Sequence, residues 1–200
     1  MVNYREIFEQ QGMDYTTYRQ LVDQLLAEGK TTGPDDSEAM LHYSKMNVQR
    51  MNRVDKTVNL TEELTTTLHH LKGNYKLLVI TEGWCGDAAQ IIPVFNKIAS
   101  TASGQLDLKF VLRDQNLSLI DAHLTNGGRA IPVLLVLNET GDKVLLSWAP
   151  RPQILQHLLA EWKKETTEMP IIAEKLHGWY AKDKTLTTQL EMNELFKKLG

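Results

Sequence analysis

The order of apolar runs between residues 60 and 165 most narrows the folds open to this chain. Tyr75 to Thr81, Leu106 to Leu112, Pro132 to Leu137 and Lys143 to Trp148 are short, bounded by turn residues, and read as strands. Asp87 to Ser100 and Leu117 to Leu124 read as helices between the first three strands. The last two are joined by Asn138-Glu139-Thr140-Gly141-Asp142, short enough to make them an antiparallel hairpin. A helix precedes the first strand. Thr61 is its N-cap, Glu62 and Glu63 stand in its first turn, Leu64, Leu68 and Leu71 form its stripe, and Gly73-Asn74 stops it. Another follows the hairpin, with Ile154, Leu155, Leu158, Leu159 and Trp162 inward. The order α-β-α-β-α-β-β-α predicts a four-stranded mixed sheet flanked by helices. Helical crossovers imply parallel neighbours, and the hairpin adds an antiparallel edge. The useful site of such a sheet lies at the carboxyl ends of its strands.

The flanks read as helical. Tyr18, Leu21, Val22, Leu25 and Leu26 make one stripe, and Gly29 to Asp36 is a break. A helix over Ser37 to Val54 should turn Met40, Leu41, Val48 and Met51 inward. Near the end, Thr188-Gln189-Leu190-Glu191 has the pattern of a capping box ahead of Leu195, Phe196 and Leu199. Pro93 should bend its helix or confine it to the first turns. The expected organisation is one domain over 1–200: a helical extension (1–58), an α/β core (59–165) and a helical tail (166–200).

A formal net charge of −3 gives no reason to expect nucleic acid or an anionic membrane. The longest apolar run, Ile131 to Leu137, is far shorter than the about 20 residues of a membrane span. The amino terminus lacks the basic-then-apolar order of a signal peptide. No metal ligand set is expected. His69 and His70 are adjacent and point to different sides of a helix, and His123, His157 and His177 are isolated. The extension holds no glycine-rich phosphate loop, and no cofactor is implied.

Cys85 is the only cysteine, and it follows the first strand at a turn into a helix, where the helix N-terminus favours a thiolate. A single cysteine excludes an intrachain disulfide, and it fits a reducing compartment, so the expected location is the cytoplasm. The opposing reading is a small buried hydrophobe. Asp87, two residues on, pulls against the thiolate by its charge, or simply favours the helix start.

Trp84-Cys85-Gly86-Asp87-Ala88, Asp114-Gln115-Asn116 after the second strand, and Gly128-Arg129-Ala130-Ile131-Pro132 before the third resemble the thioredoxin superfamily, whose pattern is Trp-Cys-Gly-Pro-Cys. The resemblance runs from Thr61 to about Trp162, and more closely the chain looks like thioredoxin-like proteins carrying Trp-Cys-Gly-Asp-Ala. It implies a cis bond before Pro132, facing the cysteine, with the backbone of Ile131 open to an extended substrate segment. Trp84, Gly86, Asp87, Ile131 and Pro132 would shape that groove, with Cys85 as nucleophile. Three departures bear on one step. Ala88 stands for the resolving cysteine, Val79 for a buried aspartate, and Phe110 for its lysine neighbour. The implied function is monothiol exchange: Cys85 takes up a protein or low-molecular-weight disulfide, and an external thiol resolves the product. A binding module without turnover and a single-cysteine redox sensor are the alternatives. Nothing in the sequence sets an oligomeric state.

Overall fold

The computed structural model describes residues 2–199. Its sheet holds β1 (Tyr75–Thr81), β2 (Leu106–Leu112), β3 (Val133–Leu137) and β4 (Val144–Trp148) in the order β2-β1-β3-β4. β1 runs parallel to β2 and antiparallel to β3, and β4 is antiparallel to β3. The helical connection between β2 and β3 does not make them parallel neighbours as expected. It carries β3 to the far side of β1. Burial gives the reason: every residue of β3 and the last five of β1 are buried, which suits central strands. β2 and β4 each expose part of their length and take the edges.

Nine helices surround the sheet among the described residues: α1 (Tyr4–Gln10), α2 (Tyr15–Ala27), α3 (Glu38–Thr57), α4 (Glu62–His69), α5 (Gly86–Thr101), α6 (Leu117–Asp121), α7 (Gln153–Glu165), α8 (Met169–Asp183) and α9 (Leu186–Phe196). The first four start at side-chain caps. Asn3, Asp14, Ser37 and Thr61 accept from the backbone N–H of Glu6, Thr17, Met40 and Leu64, each cap worth about 1 kcal/mol. α5 does not stop at Pro93. It continues two turns further because ten of its side chains, Pro93 included, are buried. No helix of the described residues is long and apolar enough to cross a membrane.

Three local expectations change. In α3 the buried side chains are Ser44, Asn47, Met51 and Val54, while Met40, Leu41 and Val48 are half-buried. Asn47 faces inward because its Nδ2 donates to the Gly83 carbonyl at 3.0 Å, whereas the buried Ser44 hydroxyl has no partner among the described residues. In α7 only Leu155 is buried, and Ile154 is exposed. The Thr188–Glu191 segment lies inside α9, which begins at Leu186, so it caps nothing. Its polar residues dock the tail instead: Gln189 Oε1 accepts from Thr61 N at 2.7 Å and Gln189 Nε2 donates to the Asn59 carbonyl at 3.1 Å.

The amino-terminal helices are joined to the sheet by backbone and aromatic contacts. Met13 and Phe110 exchange two backbone hydrogen bonds, of 2.9 and 2.8 Å, as an antiparallel bridge on the outer edge of β2. The rings of Tyr18 and Tyr15 lie 5.4 and 5.7 Å from that of Phe110, and Phe8, Tyr18 and Phe110 are all fully buried. Truncating the shared ring should therefore loosen both layers. Phe110→Ala is expected to cost about 3–5 kcal/mol in urea unfolding monitored by circular dichroism.

Candidate functional site

β1 ends at Thr81, and four residues later Cys85 is the N-cap of α5. The turn closes with Cys85 N–H donating to the Glu82 carbonyl at 3.2 Å, while the Cys85 carbonyl accepts from Ala89 N–H at 3.1 Å. Across the site the Ile131–Pro132 peptide is cis, and both residues are buried. The Cys85 thiol donates to the Ile131 carbonyl at 3.3 Å. The thiol is buried, and burial together with the neighbouring Asp87 carboxylate pushes its pKa up to about 12. The N–H groups of Ala88 and Asp87 and the charge of Arg151 act the other way and are outweighed. Of the opposing influences recognisable in the sequence, burial and Asp87 prevail over the helix N-terminus. The resting site holds a protonated thiol.

Asp87 is itself buried, with both its oxygens engaged. Arg151, from the β4–α7 loop, grips it with Nε at 3.1 Å and Nη2 at 2.6 Å, and the Tyr180 hydroxyl of α8 donates to it at 2.6 Å. Burial and the adjacent carboxylate raise the Tyr180 phenol well above its ordinary value. One turn back on α8, His177 lies over Gly86. A side chain on Gly86 would place its Cβ 2.8 Å from the His177 ring, so any larger residue there must push the ring aside. Burial and the nearby Arg50 push the His177 pKa down to about 4, which leaves the imidazole neutral near pH 7. The tail thus covers the face of the site that the start of α5 would otherwise open.

The opposite side is built by the extension. Glu82 is fully buried at the end of β1. The Thr32 hydroxyl donates to its Oε2 and the Asp114 N–H to its Oε1 at 2.9 Å, while Thr32 Oγ1 accepts from Gly83 N–H at 2.9 Å. Burial pushes the Glu82 pKa up to about 7 against these bonds. Trp84 is half-buried, with the Arg113 guanidinium 4.6 Å above its ring, and Gly33 packs so close that a Cβ there would meet its Nε1 at 2.6 Å. Beside Trp84, a cleft of about 260 Å³ is lined by Pro34, Met40, Arg113 and Asp114.

The structure thus gathers Trp84, Cys85, Gly86, Asp87, Ile131 and Pro132 at one place. Sequence reasoning missed the residues that close around them: Arg151, Tyr180, His177, Glu82, Thr32 and Asn47. Glu82 carried a signal, a charge at the end of an otherwise apolar strand. Tyr180 and His177 carried none, because their partners lie about ninety residues away in the chain. Val79 and Phe110, the two apolar departures noted above, are register partners on β1 and β2 and are fully buried, so an apolar pair fills that part of the sheet. Among the described residues, no three His, Cys, Asp or Glu side chains are grouped to hold a metal ion.

A family model described as Thioredoxin matches residues 33–163, well over half of the chain, and the chain belongs to that family. The match begins at Gly33 and so takes in α3 as well as the sheet. Two solved structures share the fold. The crystal structure of an HIV epitope-scaffold is 18% identical with a TM-score of 0.60, covering 98% of both chains. That of a protein of unknown function from Pseudomonas aeruginosa is 19% identical with a TM-score of 0.55, covering 90% of this chain and 96% of the other. No curated protein matches.

Glu82 binds its proton more tightly folded than unfolded, so its contribution favours folding below its unfolded pKa of about 4.5 and is lost as pH rises through about 7. Glu82→Gln should remove this loss, raising stability at pH 8 relative to pH 4.5 by an amount on the order of 3 kcal/mol, read from paired urea titrations. Gly86→Ala should destabilise by about 1–3 kcal/mol through overpacking. His177→Ala in the same chain should recover most of that loss, which a double-mutant cycle measures.

Proposed function

We propose that this member of the thioredoxin family is a guarded monothiol exchanger. The Cys85 thiolate attacks one sulfur of a disulfide, forms a mixed disulfide and releases the other sulfur as a thiolate. An external thiol then attacks the mixed disulfide, takes the bound half into a new disulfide and returns Cys85 to its reduced form. The observation that carries this reading is the placement of Cys85 at the N-terminus of α5, with its sulfur against the Ile131 carbonyl beside Pro132. An extended substrate segment would pair with the Ile131 backbone, displacing the S–H bond that now occupies the carbonyl, and would lie along Trp84 and its cleft. Substrates would be protein or low-molecular-weight disulfides in a reducing compartment such as the cytoplasm. The extension, core and tail would act as one unit, because the site needs residues from all three.

Asp87 serves as the guard. Its charge, together with burial of the sulfur, keeps the thiol protonated at rest, and because Tyr180 ties α8 to Asp87, exchange would be slow until α8 shifts. A second reading, a binding module that keeps the groove without turnover, is favoured by that same burial of the thiol.

With a thiol pKa of about 12, alkylation of Cys85 by iodoacetamide should rise about tenfold per pH unit from pH 7 to pH 10, with Cys85→Ser as blank. Asp87→Asn removes the opposing charge and leaves Arg151 unpaired beside the sulfur, so it should speed labelling at pH 8 by about tenfold or more. For function, oxidised glutathione is the probe. One adduct per chain that dithiothreitol releases, formed faster in Tyr180→Phe than in the parent, is the expected mass spectrum. No adduct in either protein at pH 9 would reject exchange in favour of the binding module.

A further inference from the structure

A second cavity, of about 370 Å³, lies between the C-terminal half of α3, the flank of α5 and the junction of α8 with α9. Cys85 is not among its lining residues, and its link to the thiol site is Tyr180, whose ring forms part of the wall while its hydroxyl bonds Asp87. Its size falls in the range of roughly 300–1,000 Å³ typical of pockets for small organic ligands. The buried side chains of Val54 and Val58 and the ring of Tyr180 make its wall apolar. Two cations, Arg53 and Lys184, line it and no carboxylate does. Among the described residues neither cation has an ion-pair partner. Arg53 is held across the cavity by Nη2 donating to Gln90 Oε1 at 2.8 Å, which leaves its other donors unspent.

The backbone at the lip is also unusual. Lys184 and Thr185 both have left-handed conformations, φ 52° and 71°, the one adjacent pair of non-glycine residues in that region among those described. A β-branched residue seldom accepts such a φ, and strain of this kind concentrates where a site has to be shaped. Here it turns the chain sharply between α8 and α9 and sets Lys184 on the cavity rim.

We propose that this cavity binds a small amphipathic carboxylate, with its hydrocarbon body against Val54, Val58 and Tyr180 and its carboxylate between Arg53 and Lys184. The apolar wall selects a hydrocarbon body. The paired, otherwise unneutralised cations select a negative head group, which arginine can hold with two parallel hydrogen bonds. The same charges reject an amine of equal length.

Isothermal titration calorimetry of the intact chain with octanoate tests the assignment, with octylammonium and octanol as probes of the head group. Octanoate should bind saturably at one site, octanol at least tenfold more weakly, and octylammonium not measurably. Arg53→Ala combined with Lys184→Ala should weaken octanoate at least tenfold. Ala181→Trp, at an exposed position on the cavity lining, should block entry while leaving the melting temperature unchanged. Absence of saturable octanoate binding up to about 5 mM, weaker than the affinities expected of a formed pocket, would overturn the proposal. So would equal binding of octylammonium, or undiminished octanoate binding in the double variant.

Discussion

The buried carboxylate of Asp87 organises this site. A charge removed from water is tolerated only when it is paired and its lone pairs are used. Asp87 meets that demand with a two-pronged grip from Arg151 and a bond from Tyr180, so two segments far apart in the chain must converge on the first turn of α5. Breaking a buried pair by removing one partner commonly costs about 3–5 kcal/mol, because the other charge is left stranded. The same constraint fixes how α8 lies over Gly86 and, through its own charge, keeps Cys85 in the thiol form.

The family frame therefore carries a different balance of forces here from the one its motif suggests. A helix N-terminus and two backbone N–H groups favour a thiolate, as in any cysteine so placed. Burial of the sulfur and the fixed negative charge of Asp87 exceed them.

Much of the sheet was legible because its signals are local. β1 and β2 have the bounds that their apolar runs imply, and Thr61 caps α4 as its side chain suggests. Strand order was not legible from connectivity alone: β3 sits beside β1 because its five residues are all buried, a property set by what packs on it. The capping-box pattern at Thr188 misled for a related reason. Its polar side chains satisfy the backbone of Asn59 and Thr61, more than a hundred residues earlier. At the site, the motif residues could be named in advance because they are contiguous or follow a strand. The groups that set their chemistry arrive from the extension and the tail, and no spacing rule links them.

The bridge between Met13 and Phe110 has a consequence for how molecules of this kind meet one another. A fibril grows by adding strands at both sides of a sheet, each new strand offering a fresh edge to the next. On the β2 side that addition would first have to strip away a backbone already hydrogen-bonded in the middle of the strand. β4 is the other outer strand of the sheet and, among the described residues, pairs only with β3. Edge-to-edge growth is thus obstructed on the β2 side of the folded protein.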